Sequence, residues 1–122
     1  MSLVIQKRNF QVSDETQTPP YLRIDTVKMG DMTVLRQIYQ PGWQWSKHQK
    51  PIAKTDSCQV HHFGVFVSGR MRVRGDDGQE VELGPGDVAD IPAGHDGWVI
   101  GNEPAIFYTF TQKTDHKLLT SK

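Results

Sequence analysis

The sequence predicts an all-β domain, either a sandwich or a small barrel, on three grounds. Turn signals recur at the short intervals that separate strands. The stretch RMRVRG, residues 70–75, alternates arginine with apolar bulk at period two, the mark of a sheet with one wet face. Apolar residues almost nowhere recur at a helical period, so packed or closed sheets are the economical way to bury them.

Residues 1–20 read as an N-terminal arm, because QVSDETQTPP (11–20) is polar and ends in two prolines that favour extended chain. Residues 21–112 form the barrel and 113–122 a C-terminal tail. Tyr21 to Lys28 and Met32 to Gln40 are two strands joined at Gly30-Asp31, with Val34, Ile38 and Tyr39 supplying β-favouring bulk. Pro41-Gly42 closes the second. WQWSKH, Trp43 to His48, is expected as the next strand, followed by a polar loop from Gln49 to about Ser57. Strand character returns in CQVHHFGVFV, Cys58 to Val67, and Ser68-Gly69 turns the chain into the arginine strand. Asp76-Asp77-Gly78 is a hairpin turn leading to EVEL, and Gly84-Pro85-Gly86 turns into DVADI. Pro92 to Asp96 makes a corner, after which GWVIGN and IFYTFTQ complete about ten strands.

A chain of 122 residues can bury one core without disulfide staples. Its 14 basic and 14 acidic residues cancel, and no basic patch or DNA-reading helix pair is evident, so neither nucleic acid nor an anionic membrane is an expected partner. A small-molecule ligand is. Cys58 is the single cysteine and cannot form an internal disulfide, which points to a reducing compartment and hence the cytoplasm. Met1 to Phe10 offers only Leu3-Val4-Ile5 before Lys7 and Arg8, neither a signal peptide nor a membrane span.

GDVADIPAGHDGWVIGN, residues 86–102, resembles the second motif of the cupin family, G-x5-P-x-G-x2-H-x3-N, with Gly86, Pro92 and Gly94 in register. The residues before Gly69 resemble the end of the first motif, and the sixteen residues 70–85 between the two glycines are a spacing typical of small cupins. The resemblance implies a double-stranded β-helix, the cupin jelly-roll barrel. It also implies homodimerisation by family habit and a divalent metal held by inward-facing side chains. GWQWSKH ahead of TDSC is similar to a stretch found in a group of small cupins with no assigned reaction.

The family's ligand slots are largely vacated here. Counting back from Gly69 places His62 where the family has glutamate, and Thr55 and Ser57 in its two histidine slots. The second-motif histidine and asparagine slots fall on Gly97 and Gly101. Histidines nonetheless stand nearby. His95 lies two residues before its slot, on the same face of an extended segment. Cys58 and His62, four apart, also share a face, and His48 ends the preceding segment. The metal set expected from this rearrangement is His48, His62, His95 and Cys58, taking zinc, iron, nickel, copper or manganese.

Each choice has an alternative. His61 competes with His62, since His61 shares its face with Phe63, Val65 and Val67, whereas His62 shares its face with Gly64 and Phe66; the motif count selects His62. Cys58 reads either as a ligand or as a small buried hydrophobe. Trp45, Phe66 and Trp98 are the expected substrate pocket, although tryptophan, including Trp43, more commonly serves a core or an interface. Asp90 and Asp96 read as orienters of a ligating histidine or, for Asp96, as a turn residue. Two functions fit: a metal-dependent enzyme on a small organic molecule, of dioxygenase or hydrolase type, and a non-catalytic ligand-binding or sensor module without metal.

Overall fold

The arm is part of the sheet. In the computed structural model, which describes residues 4–112, Glu15–Gln17 (β1) pairs antiparallel with Leu22–Met29 (β2). The expected tail, 113–122, lies outside the described residues. Met32–Tyr39 (β3) follows β2 through a tight turn in which Gly30 takes a φ of 60°. After two short helical turns, Trp45–His48 (α1) and Lys50–Ala53 (α2), come His62–Ser68 (β4), Arg70–Gly75 (β5), Glu80–Leu83 (β6), Val88–Ile91 (β7), His95–Ile100 (β8) and Ala105–Gln112 (β9).

The strands form two antiparallel sheets, one in the order β1-β2-β3-β9-β4-β7 and one in the order β6-β5-β8. This is the jelly roll that the motif resemblance implies, with the core between the sheets. Phe66 and Phe107 stack there at 4.3 Å, with Leu22, Met71, Leu83 and Val99 around them. On β5 the alternation works as expected: Met71 is buried, while Arg70 and Arg72 reach Glu82 on β6 at 2.7 and 3.1 Å. No helix among the described residues is long and apolar enough to cross a membrane.

One expected element is corrected. The segment WQWSKH is not a strand: only Gln44 makes a bridge, to Trp98, and Trp45 onward is helical. The cause is distant in sequence. Asp96 accepts the Ser46 backbone N–H at 3.1 Å and the Gln44 side-chain amide at 3.3 Å, supplying from β8 the cap that no local side chain provides. On β4 the more apolar face turns outward, with Phe63 42% and Val67 48% exposed, while Phe66 is buried and His62 lies on the inward side, the side that the motif count selects. Gly64 is bare because a Cβ there would lie 1.8 Å from the Tyr108 carbonyl oxygen on β9.

The N-terminal segment is fastened over the outer side of the large sheet. Phe10 meets the Tyr108 ring at 5.6 Å and lies under the Arg36 guanidinium at 5.0 Å. Beside it, Asp25 is fully buried and accepts hydrogen bonds from Thr16 at 2.8 Å, Arg36 at 2.9 Å and Arg23 at 3.1 Å. Burial alone would raise the Asp25 pKa, but these donors outweigh it and bring it from 3.8 down to about 2. A carboxyl depressed in the fold stabilises fully above its ordinary pKa and loses that stabilisation as pH falls towards the lower value.

Asp25→Asn is therefore expected to cost on the order of 3 kcal/mol at neutral pH, since it strands Arg36 without its counter-ion. Chemical denaturation checks this, and between pH 4 and 2 the variant should lose less stability than the wild-type chain.

Candidate metal centre

Backbone pairing places the first two side chains. Cys58 and His95 form an isolated antiparallel bridge, with the Cys58 N–H donating to the His95 carbonyl and the Gly94 N–H to the Cys58 carbonyl, both at 2.7 Å. Gly94 takes a φ of 91°, so the Pro-Ala-Gly corner turns there and points His95 inward at the start of β8. His62 opens β4 opposite Ile91 of β7. The stretch entering β4 thus delivers Cys58 and His62, and the corner before β8 delivers His95, to the same end of the barrel.

The Cys58 sulfur and one ring nitrogen each of His62 and His95 all lie within 4.8 Å of one another. Cys58 Sγ is 3.8 Å from His62 Nε2, and the two imidazoles meet edge to face at 5.2 Å. Tetrahedral ligands at ordinary zinc bond lengths stand roughly 3.4–3.6 Å apart, so the group needs little movement to close on an ion. His95 is also oriented for this. Its Nδ1–H donates to the Pro92 carbonyl at 2.8 Å, which fixes the tautomer and leaves the Nε2 lone pair free.

The surroundings keep the group uncharged. Withdrawal from water, then the neighbouring His95 and His61, push His62 down to about 3. Burial likewise lowers His95 and raises the Cys58 thiol. Neutral imidazoles are the ligand form, whereas the thiol must give up its proton on ligation.

The other expected site residues divide. His48 is not brought to the group: it sits on α1, its Nδ1 accepts the Gln44 backbone N–H at 3.1 Å, and its ring stacks on Tyr21 at 4.5 Å. His61 points away from His62 and pairs with Asp90, so Asp90 orients no member of the group. Asp96 is spent on the α1 cap. Trp45 and Phe66 border the interior cavity, but Trp98 does not. Strand alternation explains it: His95, Gly97 and Val99 face inward, which turns Trp98 outward beneath Arg74 at 5.6 Å.

The cavity has a volume of about 410 Å³, and Cys58, His62 and His95 all lie on its wall. Tyr39, Trp43, Trp45, Phe66 and Phe107 supply flat aromatic surface. The Pro92 carbonyl and the polar tips of Trp43 and Gln49 were not legible as site groups in the sequence. A backbone acceptor has no residue signature, and Gln49 looks like any polar loop residue.

Residues 36–106 match the EutQ-like cupin domain. The chain belongs to this cupin family. No curated protein matches it. Among solved structures, a protein of unknown function from Rhizobium leguminosarum bv. viciae superposes with a TM-score of 0.64 at 20% identity, covering 90% of this chain and 98% of that one. The polyketide cyclase RemF from Streptomyces resistomycificus gives 0.62 at 14% identity, covering 90% of this cupin and 80% of its own chain. A cupin-superfamily sugar phosphate isomerase from Silicibacter pomeroyi gives 0.56 at 20%, covering 77% and 60% respectively. At these identities the likeness is one of fold.

Because only a thiolate reacts readily, iodoacetamide should alkylate Cys58 of the native metal-free cupin at least ~tenfold more slowly than in the urea-unfolded chain, as followed by mass spectrometry. Equal rates would contradict the buried thiol.

Proposed function

We propose that this cupin binds a small organic molecule next to a borderline divalent transition metal held by Cys58, His62 and His95. The observation that carries the reading is the convergence of those three donors, with His95 Nε2 left free by the bond from Nδ1–H to Pro92. One thiolate and two imidazoles with no carboxylate suit zinc best among the metals expected, then iron, nickel and copper; manganese prefers oxygen donors. Three protein donors leave coordination positions for water or for a molecule in the cavity.

When bound, such a metal supplies Lewis acidity, polarising an oxygen of the bound molecule or lowering the pKa of a water. The chain's own part is to hold and to exclude. Pro92 fixes the His95 ring, the Cys58–His95 bridge sets the distance between two donors, and the aromatic walls offer the bound molecule an apolar surface. Hydrolase or dioxygenase chemistry is the catalytic form of this reading. The names of two structural neighbours, a sugar phosphate isomerase and a polyketide cyclase, support a small organic molecule as the occupant.

A second reading, a non-catalytic binding or sensing module, is favoured by one observation. No aspartate, glutamate or lysine borders the cavity among the described residues, so the wall offers no ordinary general acid or base beyond the histidines themselves.

Elemental analysis of untagged protein purified without chelator tests the metal. About one zinc or iron per chain is expected, lost in His62→Ala and in His95→Ala and retained in His48→Ala. Wild-type protein that takes up neither metal after dialysis against each would overturn the metal-bound reading in favour of the metal-free module.

A further inference from the structure

The wall of the cavity specifies what enters it. Among the described residues, none of those bordering it carries a formal side-chain charge of the aspartate, glutamate, lysine or arginine kind. A phosphate or sulfate on a ligand would therefore leave water with no guanidinium or ammonium to receive it, a cost that buried sites avoid. A polyhydroxylated molecule fares little better, because the polar groups on the wall are few and partly spent. Tyr39 donates its hydroxyl to Gln37 Oε1 at 3.0 Å, and Thr55 donates to the Ser57 carbonyl at 2.8 Å.

Beside the histidine nitrogens, two wall residues carry a buried polar atom that is not spent. Trp43 Nε1 and Gln49 Oε1 are buried and have no hydrogen-bond partner, and both residues border the cavity. Trp43 is only 5% exposed, so water on the surface does not satisfy it. A buried donor and a buried acceptor left open are uncommon in a folded chain and call for an occupant. The donor needs an acceptor and the acceptor needs a donor; a hydroxyl or a primary amide offers both.

The shape completes the description. Tyr39 and Trp43 lie 4.5 Å apart, and Phe66 and Phe107 stack at 4.3 Å, so two pairs of rings contribute to the wall of a cavity of about 410 Å³. That volume is in the range of sites for small organic ligands, and such walls favour a planar ring by stacking and edge contacts.

We propose that the cavity takes an uncharged aromatic molecule of one or two rings bearing a hydroxyl or amide, hydrogen-bonded by Trp43 Nε1–H and Gln49 Oε1. This rests on the small-molecule reading of the cavity but not on the metal. Polar recognition lies with Trp43 and Gln49, and the aromatic body gives most of the affinity.

The test is a titration of metal-free and zinc-treated protein with 2-naphthol, 2-naphthoate and glucose 6-phosphate, followed by calorimetry and by the tryptophan indole N–H resonances. In the metal-free protein 2-naphthol should bind saturably and shift the Trp43 indole N–H, identified by its loss in Trp43→Phe. Binding of 2-naphthoate should be at least ~tenfold weaker and that of glucose 6-phosphate undetectable. Trp43→Phe and Gln49→Leu should each weaken 2-naphthol about fivefold, the size of one neutral hydrogen bond. An unmoved Trp43 indole, or glucose 6-phosphate binding as tightly as 2-naphthol, would overturn the proposal, and the wild-type readout stands even where a variant fails to fold. Failure of zinc uptake with intact 2-naphthol binding would sink the metal reading alone.

Discussion

The pairing of Cys58 with His95 is the contact on which the site depends. Residue 58 belongs to no strand, yet its N–H donates to the His95 carbonyl at 2.7 Å and its carbonyl accepts the N–H groups of Gly94 at 2.7 Å and His95 at 3.3 Å, which holds it against the start of β8. Without that bridge the chain between α2 and β4 would carry the thiol wherever the loop relaxed. With it, sulfur and imidazole are fixed on one side of the barrel, and His62, four residues further along, is carried to the same place as β4 begins. The Pro-Ala-Gly corner contributes at both ends: Gly94 makes a bridge hydrogen bond, and Pro92 provides the carbonyl that sets the His95 tautomer.

This arrangement shows how a cupin barrel can keep an inward-facing donor group after its usual ligand positions have changed. Gly97 occupies the slot where the family motif has histidine, and it does face the cavity beside His95. Period-two alternation makes positions 95 and 97 equivalent in direction, so a donor can move by two residues along a strand without leaving the interior. A move of one would have turned it outward, as it does Trp98. The donor set changes in character as well, from imidazole and carboxylate to imidazole and thiol, a softer combination of donors.

The strands were legible because their causes are local. Gly30-Asp31, Asp77-Gly78 and the glycines around Pro85 stop and restart the chain, and the alternation in RMRVRG fixes which side chains face the core. The helical stretch at Trp45–His48 was not legible, since its cap comes from Asp96, some fifty residues away. The choice between the two faces of β4 rested on the motif count, because face composition points the other way. Phe63, Val65 and Val67 make the more apolar stripe, but the interior side of β4 carries His62 and Phe66 and a glycine that the β9 backbone requires to be bare. Composition alone weighs a face by its bulk and cannot see a carbonyl approaching from another strand.

By itself the sequence determined the class of fold, the position of most turns, and the short roster of imidazoles and one thiol from which any donor group had to be drawn. Those follow from glycine and proline stereochemistry, from alternation, and from residue chemistry, all of which act over a few residues. Which members of the roster meet was decided only in three dimensions. His48 is held by Gln44 and Tyr21, His61 by Asp90, and only Cys58, His62 and His95 converge, because strand pairing between distant segments sets their separations.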